Sequence, residues 1–283
     1  MNIALVLEGG GLRGSYTAGV LVWLIEQGIE ADTVVGISSG AMHACHYVLK
    51  DIEALKLTSM KYASHRHNVG WYPLLHEGQP VGYDFLFETV IKEILKFDVN
   101  KLRAQKQAVE FGVYDLSIQK TIWKNQFTMD EDIRFLKAAC TLPLAGRNVK
   151  IGDTYYLDGG VTTMVPIGRA KELGAKKFLV VVTKDPGFVR KPNSPFLQFV
   201  LDLMYFKYKT LLKDFRARTQ VYYDEMNEVR ALQDEGKAIL LQPTRDCGVK
   251  RFSGTEQQII DMFNLAKEDC ENRKEELLAF FAK

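Results

Sequence analysis

Apolar runs alternate with segments of helical periodicity over the first fifty residues. Residues 2–7 form a continuous apolar run, which predicts a buried strand. Apolar positions then recur at helical spacing over 15–27, and Gly28 follows where that helix should end. A short strand at 33–35 and a helix from about Ser39 come next. Two strand–helix units in succession predict a parallel sheet covered by helices.

The same alternation continues through the remainder of the chain. Further strands are predicted over 107–115, 149–157, 179–183 and 238–241, and further helices over 131–140, 166–173, 195–233 and from residue 255 onward. The run Leu-Val-Val-Val-Thr at 179–183 is typical of a central parallel strand. Residues 65–84 are rich in Gly, Pro, His and aromatics, which predicts an irregular segment. The expected fold class is therefore α/β.

Composition narrows the class of protein. With 283 residues, 47% of them hydrophobic, the chain can bury one large core, so we expect a single globular unit. A net charge of +2 argues against a nucleic-acid binder that works through a broad basic surface. No apolar run approaches the roughly 18–20 residues that span a bilayer. The first ten residues lack the features of a signal peptide and are interpreted as a buried strand.

Neither the cysteines nor the histidines predict a metal site or a disulfide framework. The four cysteines are scattered without paired spacing: Cys45, Cys140, Cys247 and Cys270. Reduced thiols fit a cytoplasmic protein, with contact at the inner face of a membrane left open. His43 and His46, and His65 and His67, have spacings that a metal could use, but no Asp, Glu or Cys set completes them. We therefore expect no metal.

A glycine-rich loop follows the first predicted strand directly. Its sequence is Glu8-Gly9-Gly10-Gly11-Leu12-Arg13-Gly14, and a helix comes next. Such a loop can direct backbone N–H groups towards an anion at a helix N-terminus, either a phosphate or a developing oxyanion. The spacing also matches the G-x-G-x-x-G dinucleotide motif, but Asp32 lies before the second strand and not at its carboxyl end, where the ribose-binding acid belongs. Arg13 either contacts a phosphate or braces the loop through an acidic neighbour.

The second strand leads into a candidate nucleophile. Gly36-Ile37-Ser38-Ser39-Gly40 has the form G-x-S-x-G, placed between a strand and a helix as a nucleophile elbow requires. An isolated match would more simply be a helix cap. The strand–helix context and the second anion-binding loop favour Ser38 as the nucleophile.

A hydroxyl nucleophile needs a base, and two choices are open. All five histidines lie between 43 and 76, which disfavours an α/β-hydrolase triad, although the set Ser38, His76 and Asp158 stays possible. Asp158 ends an apolar strand and precedes Gly159 and Gly160, so its carboxylate can lie at the same sheet edge as Ser38 and act directly. Taken alone, Asp-Gly-Gly would be an ordinary turn.

With these motifs in this order, the chain resembles the patatin-like phospholipases. The glycine loop, the elbow and Asp158-Gly159-Gly160 carry the resemblance, which spans roughly residues 3–183. The stretch Ala138-Ala139-Cys140-Thr141-Leu142-Pro143 is also similar to a family segment that precedes the acid. Glu8 departs from the Asp that is frequent before the glycines, and residues 197–283 match no motif.

The resemblance implies a three-layer α/β/α fold with a mostly parallel sheet, and hydrolysis of lipid esters by a Ser-Asp dyad without cofactor or metal. Ser38 would attack the ester of a phospholipid, lysophospholipid or related lipid, and Asp158 would be the base. The oxyanion would be held in the loop of Gly9, Gly10, Gly11, Leu12, Arg13 and Gly14. Four further glycines would complete the motifs around the two catalytic residues: Gly36 and Gly40 beside Ser38, and Gly159 and Gly160 after Asp158. Binding of a nucleotide or phospholipid head group without chemistry is the alternative.

The remaining expectations concern organisation and surfaces. We expect one patatin-like domain over 1–283, in which 1–183 carries the motifs and 184–283 is an extension packed on it. The stretch 196–218 interleaves apolar and basic residues, which suits an anionic bilayer surface, but a core-facing helix with a solvated basic face is favoured. A candidate acyl-chain entrance is formed by Trp71, Tyr72, Leu74 and Leu75.

Overall fold

A mixed eight-stranded sheet runs through the centre of the protein, whose computed structural model describes residues 2–282. The strands are β1 Ile3–Leu7, β2 Thr33–Gly36, β3 Ala108–Asp115, β4 Lys120–Asn125, β5 Val149–Ile151, β6 Thr154–Asp158, β7 Lys177–Val181 and β8 Ala238–Leu241. Their order is β5-β6-β3-β2-β1-β7-β8, and β4 also pairs with β3. The pairs among β3, β2, β1, β7 and β8 are parallel, whereas β4, β5 and β6 pair antiparallel.

Helices cover both faces of this sheet. They are α1 Gly14–Glu26, α2 Ser39–Val48, α3 Ile52–Lys56, α4 Trp71–His76, α5 Val99–Arg103, α6 Arg134–Cys140, α7 Ile167–Glu172, α8 Pro195–Met204, α9 Lys209–Asp234, α10 Glu256–Asn272 and α11 Lys274–Phe281. Wider π-type turns occupy Leu57–Lys61 and Phe85–Ile94, and short 3₁₀ turns occupy Gly11–Arg13 and Gly159–Val161. Within residues 2–282, no helix combines the length and the apolar content that crossing a bilayer requires.

The side chains of β1 alternate between two apolar layers, as the pleat of a strand dictates. Leu5 and Leu7 pack in a cluster with side chains of α1, α2 and α10. Ala4 and Val6 pack in a second cluster with side chains of α7 and α9. Every residue of β1 is buried, because helices lie on both sides of it. The predicted three-layer arrangement is confirmed.

Strand register brings the predicted motifs to one edge of the sheet. In the parallel pair β1–β2, Leu7 lies opposite Gly36, so the glycine loop and the elbow leave their strands at the same level. Gly36 lies opposite Phe111 of β3, and Asp158 of β6 lies opposite Val113, only two residues further along β3. Asp158 is therefore brought close to the elbow because β6 pairs with β3, the strand next to β2.

Several predicted elements differ in their boundaries. The single strand expected over 149–157 is a hairpin, β5 and β6, because Gly152 turns the chain with a φ of +61°. Strand β4 was not predicted, and α4 lies within the segment 65–84 that was expected to be irregular. The long helix expected over 195–233 is divided into α8 and α9.

The C-terminal part of the chain is joined to the central layers. Strand β8 extends the sheet by pairing with β7. Helix α10 packs closely against α1, and Tyr16 of α1 donates a hydrogen bond to Asp269 of α10 at 2.9 Å. Helix α9 covers the opposite face.

Candidate active site

Ser38 lies in the sharp turn between β2 and α2. Its backbone has φ 56° and ψ −129°, a strained conformation for a residue other than glycine. The turn is so tight that a Cβ on Gly36 would lie 2.4 Å from the carbonyl oxygen of Gly40, and one on Gly40 would lie 2.7 Å from that of Leu7. The small residues on either side of the serine are therefore required sterically, as in a nucleophile elbow.

The glycine loop packs directly against this turn. A Cβ on Gly9 would come within 2.7 Å of the Ser38 Cβ. Gly11 has a φ of +59°, and a Cβ there would lie 2.3 Å from the carbonyl oxygen of Arg251. Gly14 begins α1, and its lack of a side chain leaves room for His43. The loop thus holds its backbone close to Ser38.

Several amides of the loop already have acceptors in the protein. The N–H of Gly10 donates to Ser39 Oγ at 3.0 Å, and that of Leu12 donates to the Arg251 carbonyl at 3.0 Å. The N–H groups of Gly11 and of Ser39, the first residue of α2, have no acceptor in the described part of the chain. The Ser39 amide was missed in the sequence, although the elbow motif itself signals it, since the residue after the nucleophile commonly donates to an oxyanion.

Asp158 is completely buried at the end of β6. Its Oδ1 accepts the N–H of Gly160 at 2.7 Å, while Oδ2 has no hydrogen-bond partner among residues 2–282. Burial raises the pKa of Asp158 to about 6, against the opposing effects of the Gly160 N–H and the nearby Ser38 hydroxyl. Gly159 passes close to Gly112 of β3, where a Cβ would lie 2.6 Å from the backbone. A carboxylate with this pKa beside a serine hydroxyl can exchange a proton near neutral pH.

The segment before the acid is hydrogen-bonded to the backbone of both Ser38 and Asp158. Cys140 Sγ donates to the Ser38 carbonyl at 3.1 Å, and the Asp158 N–H donates to the Thr141 carbonyl at 2.9 Å. The stretch that resembled the family segment over 138–143 is therefore in contact with both. These are the ordered motifs and the fold of one known family, and the model of the patatin-like phospholipases matches residues 5–171.

The chain belongs to the patatin-like phospholipase family. A second model, of a domain of unknown function (DUF6363), matches residues 208–282. The chain is 28% identical over 187 residues to the uncharacterized protein YjjU of Escherichia coli strain K12, covering 64% of this chain and 52% of YjjU. It is 25% identical over 189 residues to the lysophospholipase NTE1 of Debaryomyces hansenii, covering 64% of this chain but only 12% of that protein.

A solved structure shares the fold. The crystal structure of VipD from Legionella pneumophila matches 96% of this chain and 66% of its own with a TM-score of 0.52 at 14% identity. Because the identity is so low, this match bears on the patatin-like fold alone. The matches to curated relatives end well short of their full lengths, at about half of YjjU and an eighth of NTE1.

Two cavities meet at Ser38 of this patatin-like site. One, of about 70 Å³, has a mostly apolar wall that includes Met42, Val69, Val81, Tyr83, Leu86 and Leu142. The other, of about 20 Å³, is more polar, and besides Ile37, Leu142 and Met164 its wall includes Gly9, Gly10, Gly11, Asp158, Lys184, Arg190, Arg218 and Arg251. Sequence reasoning missed the three arginines, because they lie in separate segments without a local motif.

A buried ion pair supports the base of the glycine loop. Glu8 pairs with Lys184 and accepts the Thr183 N–H at 2.7 Å. Burial alone raises the pKa of Glu8, but the Lys184 charge, these hydrogen bonds and the charge of Arg13 outweigh it and hold the pKa below its ordinary value. Arg13 stacks over Phe188 at 5.5 Å and lines neither cavity. These contacts favour the bracing role for Arg13 over phosphate contact.

The histidines do not converge on the site. His76 is exposed on α4, stacks on Tyr72 and lines neither cavity, so the Ser38, His76 and Asp158 set is not assembled. His43 lines the apolar cavity, but burial lowers its pKa to about 3, so it is neutral. No group of three or more His, Cys, Asp or Glu side chains within residues 2–282 could hold a metal ion.

The residues of the candidate acyl-chain entrance do not themselves line the cavities at Ser38. Trp71 and Leu75 are largely exposed on α4, and neither they nor their neighbours Tyr72 and Leu74 line the two cavities at Ser38. The apolar wall is formed instead by residues of α2, the π-type turns and the segment before Asp158, together with Val69, Val81 and Tyr83 of the segment 65–84.

Proposed function

We propose that this protein is a serine lipid acyl hydrolase that cleaves carboxylic ester bonds through Ser38 and Asp158. The observation that carries the proposal is that these two residues line the same cavity. A strained serine, a buried carboxylate and the Gly11 amide line one cavity, and a mostly apolar cavity opens at the same serine. Membership of the patatin-like phospholipase family, and the similarity to a lysophospholipase, support a lipid ester as the substrate class.

The reaction proceeds in two steps in this proposal. Asp158 takes the hydroxyl proton as Ser38 Oγ attacks the ester carbonyl, and the N–H groups of Gly11 and Ser39 stabilise the negative oxygen. Collapse of the tetrahedral intermediate breaks the C–O bond, and the proton passes from Asp158 to the departing alcohol. Water then attacks the acyl-serine as Asp158 accepts its proton, and collapse of the second tetrahedral intermediate returns that proton to Ser38 Oγ, which releases the fatty acid and restores the enzyme.

Binding of a nucleotide or head group by the glycine loop without chemistry has less support. A phosphate held by that loop needs several free N–H groups. The amides of Gly10 and Leu12 already have protein acceptors. A rise in melting temperature with nucleotide, without turnover of any ester, would favour this alternative.

The pH dependence of ester hydrolysis tests the proposal. Asp158 acts as a base only when ionised, and burial raises its pKa to about 6. We expect kcat/KM for a short-chain p-nitrophenyl ester to rise between pH 4 and pH 8 with a midpoint near the pKa of this group. A spectrophotometric pH profile of the purified protein measures it. A rate that is independent of pH over this range, or absent throughout, would contradict the proposal.

Helix α8 presents an apolar face that fits peripheral contact with a membrane. Phe196 is 78% exposed and Phe199 65% exposed, and only Leu201 of this helix is buried. This differs from the core-facing helix favoured from the sequence. Lys207 and Lys209 follow the helix, which adds positive charge beside the apolar face. We propose that α8 lies in the headgroup region of an anionic lipid surface.

The position of α8 relative to the site supports this proposal. A third cavity, of about 250 Å³, is lined by Leu197 of α8 and by Phe252, and it reaches Arg218 and Arg251. A lipid that enters along α8 would therefore pass next to the polar cavity at Ser38.

Vesicle binding tests this surface. The double substitution Phe196→Ser and Phe199→Ser should lower co-sedimentation with phosphatidylglycerol-containing vesicles by at least about fivefold, because two aromatic anchors are lost. Phe127→Ser is the matched control, since Phe127 is 68% exposed but lies outside α8. Equal binding by the double variant and by wild type would show that α8 does not contact the membrane.

A further inference from the structure

Three arginines that the proposed chemistry does not use line the polar cavity at Ser38. Arg190 follows β7, Arg218 lies on α9, and Arg251 lies between β8 and α10. All three are outside residues 5–171, which the patatin-like model matches. The site therefore combines a nucleophile from the first part of the chain with a cationic wall from the last third.

Arg218 is the most constrained of the three. It is only 5% exposed, and in the described part of the chain its buried Nε has no hydrogen-bond partner and its side chain has no carboxylate within 4.0 Å. Its guanidinium lies 4.6 Å from the Phe215 ring centre, which compensates only partly for lost hydration. Burial and the charges of Arg251 and Arg190 lower the pKa of Arg218, against the opposing charges of Asp158 and Glu225. A buried cation in this situation is stabilised strongly by an anion that approaches it.

The nearby acidic residues are engaged with other partners. Glu225 accepts hydrogen bonds from the N–H groups of Met164 and Val165. Glu8 is paired with Lys184. The remaining carboxylate of the cavity is that of the proposed base. The charges of Asp158 and Glu225 favour the ionised form of Arg218, but among the described residues neither carboxylate forms an ion pair with it within 4.0 Å.

The two cavities fix where an anion would sit relative to a bound ester. They share Gly11, Ser38, Leu142 and Arg251, so they join at the nucleophile. With the acyl chain in the apolar cavity, the alcohol part of the ester lies on the side of the arginines. A guanidinium group can donate two parallel hydrogen bonds to two oxygens of one phosphate. Only one carboxylate, that of Asp158, lines this cavity, so the cavity favours a phosphate over a quaternary ammonium group.

We propose that Arg190, Arg218 and Arg251 form a phosphate-binding subsite that makes the enzyme select lipid esters with a terminal phosphomonoester head group over zwitterionic and uncharged esters. The inference rests on the proposed hydrolase function and specifies its substrate class. The dianionic phosphate would pair with the three guanidinium groups while the ester lies at Ser38.

Three lipids with the same acyl chain test this selectivity: 1-acylglycerol 3-phosphate, the matching lysophosphatidylcholine and the matching monoacylglycerol. In one detergent system, wild type should show kcat/KM at least about tenfold higher for the phosphomonoester than for either other lipid. Arg218→Gln and Arg251→Gln should each reduce the ratio of phosphomonoester to uncharged lipid by about tenfold or more, because each removes charge-assisted hydrogen bonds. Arg230→Gln, an exposed position on the same helix, is the matched control and should keep the wild-type ratio.

The outcomes separate the two proposals. If wild type hydrolyses all three lipids equally, or if both arginine variants keep the ratio, the phosphate subsite is overturned while the hydrolase function stands. If no ester is cleaved, the hydrolase function fails, and a binding measurement then tests the phosphate subsite independently.

Binding is measured on the Ser38→Ala protein with an ether-linked alkylglycerol phosphate, which cannot be hydrolysed. This lipid should raise the melting temperature, and adding Arg218→Gln should abolish the shift. The choline analogue of the same chain length should give little shift. If inorganic phosphate gave the whole shift at equal concentration, the subsite would bind free phosphate and the lipid assignment would be wrong.

Discussion

Ser38→Ala is expected to lower kcat for ester hydrolysis by at least about a thousandfold without unfolding the protein, because it removes the attacking oxygen. The turn itself should persist, since its geometry depends on close approach between Gly36 and Gly40 and not on the hydroxyl. Alanine must adopt the same positive φ as the serine, so the backbone strain is unchanged. Rates with a p-nitrophenyl ester and circular dichroism measure the two effects.

The neighbouring serine supplies the control for this prediction. A fluorophosphonate probe should label wild type at Ser38, and mass spectrometry of the labelled peptide should locate it. Ser39→Ala removes the acceptor of the Gly10 N–H, so it should slow the reaction but retain labelling. Labelling that survives Ser38→Ala but disappears in Ser39→Ala would show that Ser39, and not Ser38, is the nucleophile.

The strand-ending motifs could be predicted because local sequence determines them. Strand β1 is apolar throughout since helices cover both of its sides, and the glycine loop follows where β1 ends. Gly36 and Gly40 flank Ser38 because no larger residue fits at either position. Asp158 could be placed at the correct sheet edge, but its closeness to Ser38 depends on the pairing of β6 with β3, which no local pattern specifies.

Other features could not be found because their causes are not local. The arginines at 190, 218 and 251 converge only after β8 and α9 have joined the central layers. The interleaved apolar and basic residues of 196–218 are compatible with either burial or exposure. In the fold, α9 buries Leu211 and Phe215, whereas α8 leaves most of its apolar face uncovered.

Asp158→Asn is the substitution expected to separate activity from stability. Asparagine keeps an oxygen that can accept the Gly160 N–H but cannot take the Ser38 proton. We therefore expect kcat to fall by at least about a thousandfold, since an uncharged amide offers no base at any pH. The pH profile of the residual rate should lose its midpoint near 6.

The same substitution should stabilise the fold at pH 8. The pKa of Asp158 is raised from 3.8 to about 6 by burial, so the folded state binds this proton more tightly than the unfolded state. The folded protein consequently loses stability as the pH rises from about 4 to 6, and the full cost, on the order of 3 kcal/mol, applies above that range. Asparagine carries no charge and avoids this cost, so urea unfolding should show a gain of about 1–3 kcal/mol at pH 8 that shrinks towards pH 4.

Asp153→Asn, at an exposed turn, should show no such pH-dependent gain. A loss of stability at pH 8 in Asp158→Asn would mean that the buried carboxylate is held by interactions stronger than its desolvation, and a base with a raised pKa could then not be assigned to it.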